Sequence, residues 1–409
     1  MPAGFNMPRR GTWRKTTCRE NRPWLRLVLS EMNPSRLCCL PVWLTLLVGE
    51  AEAQVRSLGT VRSANATFEL EVVADSLRLP VSIAFLPDGR ALVGERAAGR
   101  IVFVDPATGR KSPLQGLTGV HTGEEDGVLD IALHPRFAEN RQLYIAYSAV
   151  VDTGTTTVVD VARLDGDRLA DRRRIFTAHP AVKSGGHYAG RLAIRDSFLF
   201  VTVGDRRQWR ELAQDRSTHI GKVIRLHDDG RVPESNPLTD RLNARWELWS
   251  IGHRNAQGLA FHPTTGRLWA HEHGPQGGDE VNLILPGRNY GWPVVTYGRE
   301  YSGAPVGEGR SSQPGMENPV HIYTPSIGPS GMTFYTGEAF PTWRGNLFLG
   351  SLAHRHLNRL VLNQDGQVVR EERLLQEFRW RVREVEQGPE GALYLGVDDG
   401  LLVRLKPAR

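Results

Sequence analysis

The sequence predicts an all-β protein, specifically a six-bladed β-propeller of four-stranded antiparallel blades. One hairpin pattern returns six times, helical periodicity between the copies is scarce, and the composition is that of an ordinary globular chain. Of 409 residues, 23% are charged and 40% hydrophobic, which fits neither a disordered chain nor a membrane bundle.

Each copy is a short apolar strand, a turn rich in Pro, Asp, Gly or Asn, and a second apolar strand. The copies begin at Ser82, Asp130, Arg191, Gly258, Gly331 and Glu384. A third strand often follows, as in the runs after Gly99 and Gly221. Units of this kind suit propeller blades. The spacing between copies is uneven, which implies loop insertions, and in a propeller such loops gather on one face and build the site. A sandwich would not repeat one hairpin six times, and a β-helix would have a shorter, stricter period.

Residues 1–53 read as a leader and residues 54–409 as a single propeller domain. Met32 opens a short segment containing Arg36, followed by the apolar run Leu37 to Val48 and by Ala51-Glu52-Ala53. That order of positive, apolar and small residues is the pattern of a secretory signal, with Met32 as the expected start and cleavage after Ala53. The run is too short for a membrane span. Cys18, Cys38 and Cys39 all precede Gln54, so the expected mature chain has no disulfide, no Cys-ligated metal and no lipid-bearing Cys. It is expected to be periplasmic or secreted, without stable membrane insertion.

The chain has 51 Lys+Arg against 45 Asp+Glu, a formal charge of +6. Eight of those basic and four of those acidic residues lie in residues 1–53, leaving 43 and 41 in the propeller, so no electrostatic footprint for nucleic acid is expected.

Four segments concentrate chemistry. His187 stands in a glycine-rich approach to one strand, and Asp205 follows the next strand. An antiparallel hairpin could place the carboxylate on one imidazole nitrogen and strengthen the other as a base. Arg254 and Asn255 precede a blade strand, where a cation and an amide together suit an anionic, carbonyl-rich ligand. From His271 to Pro293 runs a loop with Gly274, Pro275, Gly277 and Gly278, then Asp279, Glu280 and Asn282, the hard oxygens that calcium prefers. His271 and His273 raise zinc as a competitor, without the spacing of a zinc motif. Arg381 and Arg383 alternate on a strand, and two guanidiniums on one face clamp carboxylates or phosphates.

Taken in order, the motifs GHxxGRL, VGD, GKVxRLxxDGxxPxxNP, SxGxRNxQGLAFHP, EHGPxGGDEVNLxxxGxNYGWP and the late RxRE strand resemble the soluble PQQ-dependent sugar dehydrogenases of the glucose/sorbosone dehydrogenase family, in particular their aldose sugar dehydrogenases. The resemblance runs from about Val81 to Leu405. It implies a six-bladed propeller that oxidises aldoses at C1 to the lactone, with PQQ and Ca2+ as cofactors and a separate electron acceptor. By the same likeness His187 is the base, Asp205 orients it, and Arg254 stabilises the charge growing on the quinone with Asn255 beside it. Arg381 and Arg383 pair with its carboxylates. The carbonyls of Gly274 and Pro275 hold one calcium, while Glu280 and the carbonyl of Tyr290 hold a second.

This chain departs from the glucose enzymes at three places. Gly186 stands where they have Asp beside the base, and Glu125 or Asp126 stands where they have a sugar-contacting Gln. Ala353 stands where a Lys commonly contacts the quinone, with His354 and Arg355 as the candidate replacements. Glucose specificity is not implied. A calcium-dependent lactonase would leave Arg381 and Arg383 unexplained, and a binding propeller without catalysis would not need His187 and Asp205. A monomer or homodimer is expected.

Overall fold

The computed structural model describes residues 55–238 and 243–408; the leader reading, with Met32 and the three cysteines, lies outside them. The described residues form six antiparallel sheets, five of four strands and one of five. The first blade holds Pro80–Phe85, Ala91–Glu95, Arg100–Val104 and Lys111–Pro113, and the second Val128–Leu133, Gln142–Val151, Gly154–Asp165 and Arg168–Thr177. Ala189–Arg195 opens the third, Ala256–Phe261 the fourth, Pro329–Phe334 the fifth and Val382–Gln387 the sixth. These six opening strands touch in a closed ring around the axis. The six-bladed expectation therefore holds.

Burial grades outward along each blade for a sequence reason. The inner strand Pro329–Phe334 is buried throughout, because both its faces meet other strands and its residues are accordingly apolar or small. The outer strands Arg168–Thr177 and Val368–Leu374 are largely exposed and rich in Arg and Glu, which discourages pairing between free edges.

Closure joins the two ends of the chain. Thr67–Ala74 pairs antiparallel with Leu401–Pro407, so the N-terminal strand completes the blade built by the C-terminal three. Arg56–Arg62 adds a fifth strand outside it, one more than the repeat predicts. The seam is packed by aromatic rings: Phe340 stacks on Trp343 at 4.2 Å, and Phe68 meets Trp343 edge-on at 5.6 Å.

Every inner strand carries a register shift against its second strand near its start, for example between Val128 and Asp130 and between Val382 and Glu384. Such bulges bend the strand and re-aim side chains. In the channel below the mouth they bring together the polar residues that begin the repeats. Ser82 Oγ donates to Asp130 Oδ1 at 2.7 Å, and Arg191 bonds Glu384 at 2.5 Å. No helix among the described residues is long and apolar enough to cross a membrane.

Candidate active site

His187 lies in the connection from the second blade to the third, directly before Ala189–Arg195. Its φ is 51°, left-handed for a residue that is not glycine, a conformation the surroundings must enforce. Three contacts do so. The His187 backbone N–H donates to Glu125 Oε2 at 2.7 Å. Arg206, stacked 3.4 Å over the Tyr188 ring, donates to the carbonyls of Gly186 and Ser184, both at 2.7 Å. The His187 carbonyl lies so close to Gly204 that a Cβ there would come within 2.1 Å of it.

Asp205 emerges beyond Phe198–Val203, which pairs with the strand after His187. Its buried carboxylate receives His187 Nδ1 at 2.6 Å, the Arg207 backbone N–H at 2.9 Å and Trp292 Nε1 at 2.8 Å. The hairpin expectation is met. With Nδ1–H directed at a carboxylate, Nε2 carries the lone pair and is free to take a proton.

Gly186, the first departure, is explained by its neighbour. A Cβ at this position would meet Arg207 Nε at 2.3 Å, and Arg207 instead reaches Glu125 Oε1 at 2.8 Å. Burial alone would raise the Glu125 carboxyl. The hydrogen bond from the His187 backbone, the charge of His187 when its ring is protonated, and the hydrogen bond and charge of Arg207 outweigh it and hold the group down to about 2. Of the two candidates for the missing Gln, Glu125 lines the mouth, whereas Asp126 faces His121 at 3.0 Å.

Beside His187 opens a cavity of about 280 Å³, whose walls include Arg96, Glu125, Asn255, His273, Arg381 and Arg383. Arg381 and Arg383 do share a side: both bind Asp398, Arg381 through Nε at 2.8 Å and Arg383 through Nε and NH2 at 2.7 Å each. One carboxylate thus splays two guanidiniums at fixed angles and neutralises only one of them. Arg96 adds a third cation. Burial, then the nearby charge of Arg383, pushes its guanidinium down to about 10. Neither His354 nor Arg355, the replacements considered for the absent Lys at Ala353, lines this cavity.

Arg254 and Asn255 separate. Asn255 lines the arginine cavity, while Arg254 lines a smaller adjoining one together with Glu272, Gly274, Glu280 and Tyr290; His273 borders both. The Arg254 guanidinium lies over the Trp292 ring at 5.2 Å and donates to the His273 carbonyl at 3.1 Å. Pro275 lines neither cavity.

The structure redistributes the oxygens of the glycine-rich loop. Asp279 is not free for a cation: its carboxylate accepts from Gly274 N, Ser326 Oγ and Gly328 N, all at 2.8 Å, and so ties three segments together. Asp279 and Glu280 begin a strand, Asp279–Ile284. Glu280 and Glu272 share the Asn282 amide, at 3.1 and 3.3 Å, and Asn282 Oδ1 is buried without a partner. Burial, then the charge of Glu272, pushes the Glu280 carboxyl up to about 8. Two buried carboxylates and an orphaned amide oxygen suit a hard cation. Zinc is less suited: His271 is wholly buried, and His273 Nε2 lies 2.7 Å from the Pro329 carbonyl. Among the described residues no three His, Cys, Asp or Glu side chains gather as a metal cluster, so backbone carbonyls would complete any shell here.

Sequence reasoning missed Arg96, Arg207, Trp292, Glu272 and Asp398. Trp292 and Glu272 lay within the motif already singled out, and Arg96 follows a blade's second strand, as Asp205 does.

Fold and site together define a propeller enzyme with a carboxylate-bound histidine beside a guanidinium-lined cleft. The chain belongs to the glucose/sorbosone dehydrogenase family, which it matches over residues 77–404. It is 38% identical to the aldose sugar dehydrogenase YliI of Escherichia coli over 84% of this chain and 94% of that one. To quinoprotein glucose dehydrogenase B of Acinetobacter calcoaceticus it is 31% identical, over 64% and 60%. The crystal structure of the apo Escherichia coli aldose sugar dehydrogenase superposes with a TM-score of 0.80 at 36% identity, over 83% of this chain and all of that one. The PQQ-bound aldose sugar dehydrogenase of Streptomyces coelicolor superposes with a TM-score of 0.67 at 28% identity, over 84% and 99%. The protein is an oxidoreductase of the sugar dehydrogenase type.

Proposed function

We propose that this protein oxidises aldoses at C1 to the corresponding lactone, with PQQ and Ca2+ as resident cofactors and a separate electron acceptor, in the periplasm or outside the cell. The observation that carries the reading is the 2.6 Å His187–Asp205 pair next to the arginine-lined cavity, whose walls include Glu125, Tyr188 and Ala189. His187 Nε2 takes the proton of the sugar C1 hydroxyl, and Asp205 stabilises the imidazolium that results. Arg207 and Trp292 keep Asp205 in place while this happens.

Bound PQQ supplies the two-electron acceptor for the C1 hydride, and Ca2+ supplies Lewis acidity at its carbonyl. Arg381, Arg383 and Asn255 would hold the quinone, and Arg254 would stabilise the negative charge that develops. The carbonyls of Gly274 and Pro275 would hold the catalytic calcium, and Glu280 with the Tyr290 carbonyl a structural one. The absence of an Asp at 186 and the presence of Glu125 favour a broad range of sugars over glucose alone, in a monomer or homodimer.

The test is dye reduction by an aldose panel with protein beginning at Gln54. Turnover should need both PQQ and calcium and should vanish in His187→Ala. Turnover without PQQ would overturn the reading.

A further inference from the structure

We propose that Arg96 is a cofactor-binding residue, the third guanidinium that takes a carboxylate of the quinone in the cavity lined by Arg381 and Arg383. The inference rests on the quinone reading of that cavity.

Arg96 follows the strand Ala91–Glu95 and is held from two sides. Its N–H donates to the Leu79 carbonyl at 3.1 Å. Gly127, at φ 137°, packs so tightly that a Cβ there would come within 2.0 Å of the Arg96 carbonyl and 2.8 Å of its Cγ. The base of the side chain therefore has little freedom, and its head lines the cavity.

Arg96 has no anion of its own. Arg381 and Arg383 share Asp398, Arg191 is matched by Glu384, and Glu124 and Glu125 share Arg207, so Glu125 and Asp398 act on Arg96 only from a distance. Among the described residues Arg96 forms no ion pair of this kind, and its Nε is buried with no hydrogen-bond partner. A half-buried guanidinium with an inaccessible, unpaired Nε is less stable there than one met by an anion. Arg96, Arg381, Arg383 and Arg207 stand against Asp398, Glu124 and Glu125, and because both glutamates lie on Arg207 the positive surplus falls on the wall formed by the other three arginines, which suits a polycarboxylate. PQQ is a planar tricarboxylate. The neighbouring wall at Leu352 contributes no cation, whereas Arg96 brings one from the first blade.

The experiment titrates the calcium-loaded, quinone-free protein with PQQ and follows tryptophan fluorescence, with no turnover needed. Arg96→Gln should raise Kd roughly 10- to 100-fold, and Arg96→Lys should fall between it and the wild type. The melting temperature of the unliganded Gln variant should be equal to or above that of the wild type, because a half-buried charge with no ion pair has been removed; a merely structural arginine would lower it. Arg96→Met, which keeps the stem, serves if the Gln variant does not fold. Wild-type affinity in the Gln or Met variant, with binding lost in Arg381→Gln, would overturn the inference and leave the quinone reading standing. Failure of the wild type itself to bind PQQ would overturn both.

Discussion

Trp292 Nε1 donates a 2.8 Å hydrogen bond to Asp205 Oδ2 from 87 residues away in the sequence. The carboxylate that holds His187 Nδ1 is therefore itself held by the loop whose neighbouring residues line the smaller cavity. Trp292→Phe keeps the ring under Arg254 and removes only the donor. We expect kcat to fall about 10-fold, corresponding to about 1.4 kcal/mol, with sugar KM changed less than twofold. Steady-state kinetics checks this, and an unchanged kcat would show that Asp205 is held well enough by Arg207 N alone.

Gly186 and Arg207 compete for one volume. Gly186→Ala should swing the Arg207 guanidinium away and break its 2.8 Å contact with Glu125. The tip of a flexible side chain can move, so the stability loss should be small, about 1 kcal/mol. The sugar KM should change more than kcat. A crystal structure of the variant with Arg207 unmoved would contradict the argument.

Glu125 ties the base loop to acid stability. Its carboxyl ionises at about 2 in the folded protein against an ordinary 4.5. The folded state thus binds its proton less readily, and the stabilisation is complete above pH 4.5 and drains away as pH falls toward 2. Glu125→Gln should cost about 1–2 kcal/mol at pH 7, a figure reduced because the side chain is 32% exposed. Denaturant unfolding of wild type and variant should converge between pH 4.5 and 2.

Arg191 is the counter-ion of the channel. It bonds Glu384 at 2.5 Å and lies 3.7 Å from Asp130, while burial pushes Glu384 up to about 7 against the pull of Arg191. Arg191→Met leaves two buried carboxylates facing each other and should destabilise the protein by about 3–5 kcal/mol near pH 8. At pH 5 the loss should be smaller, because a carboxyl with a raised folded pKa is protonated there at little cost. Equal losses at both pH values would count against the pairing.

Much of the propeller was legible because a blade is a local object. Alternating apolar strands and turn residues specify a hairpin within some twenty residues, and six such hairpins have few other ways to bury their faces. The residues that begin each repeat were equally legible, and they prove to sit at the bulges that line the channel. The His187–Asp205 pair could be anticipated because one hairpin joins the two. Asp279 could not be judged in the same way. Its acidity suggested a cation ligand, but its bonds to Gly274, Ser326 and Gly328 arise from segments brought together only by folding.

The sequence by itself thus determined the repeat, the antiparallel strands and the meeting of His187 with Asp205, and it pointed to Arg381 and Arg383 sharing a side, although Arg381 precedes the strand Val382–Gln387 rather than lying on it. Tertiary structure alone decided that Asp398 splays those arginines, that Arg207 occupies the space beside Gly186, that Trp292 steadies Asp205, and that Arg96 enters the same cavity from the first blade. The reason is physical. Strand pairing within a hairpin depends on neighbours a few residues apart, whereas the mouth of a propeller is assembled from six separate chain segments whose side chains meet only after the N-terminal strand closes the ring.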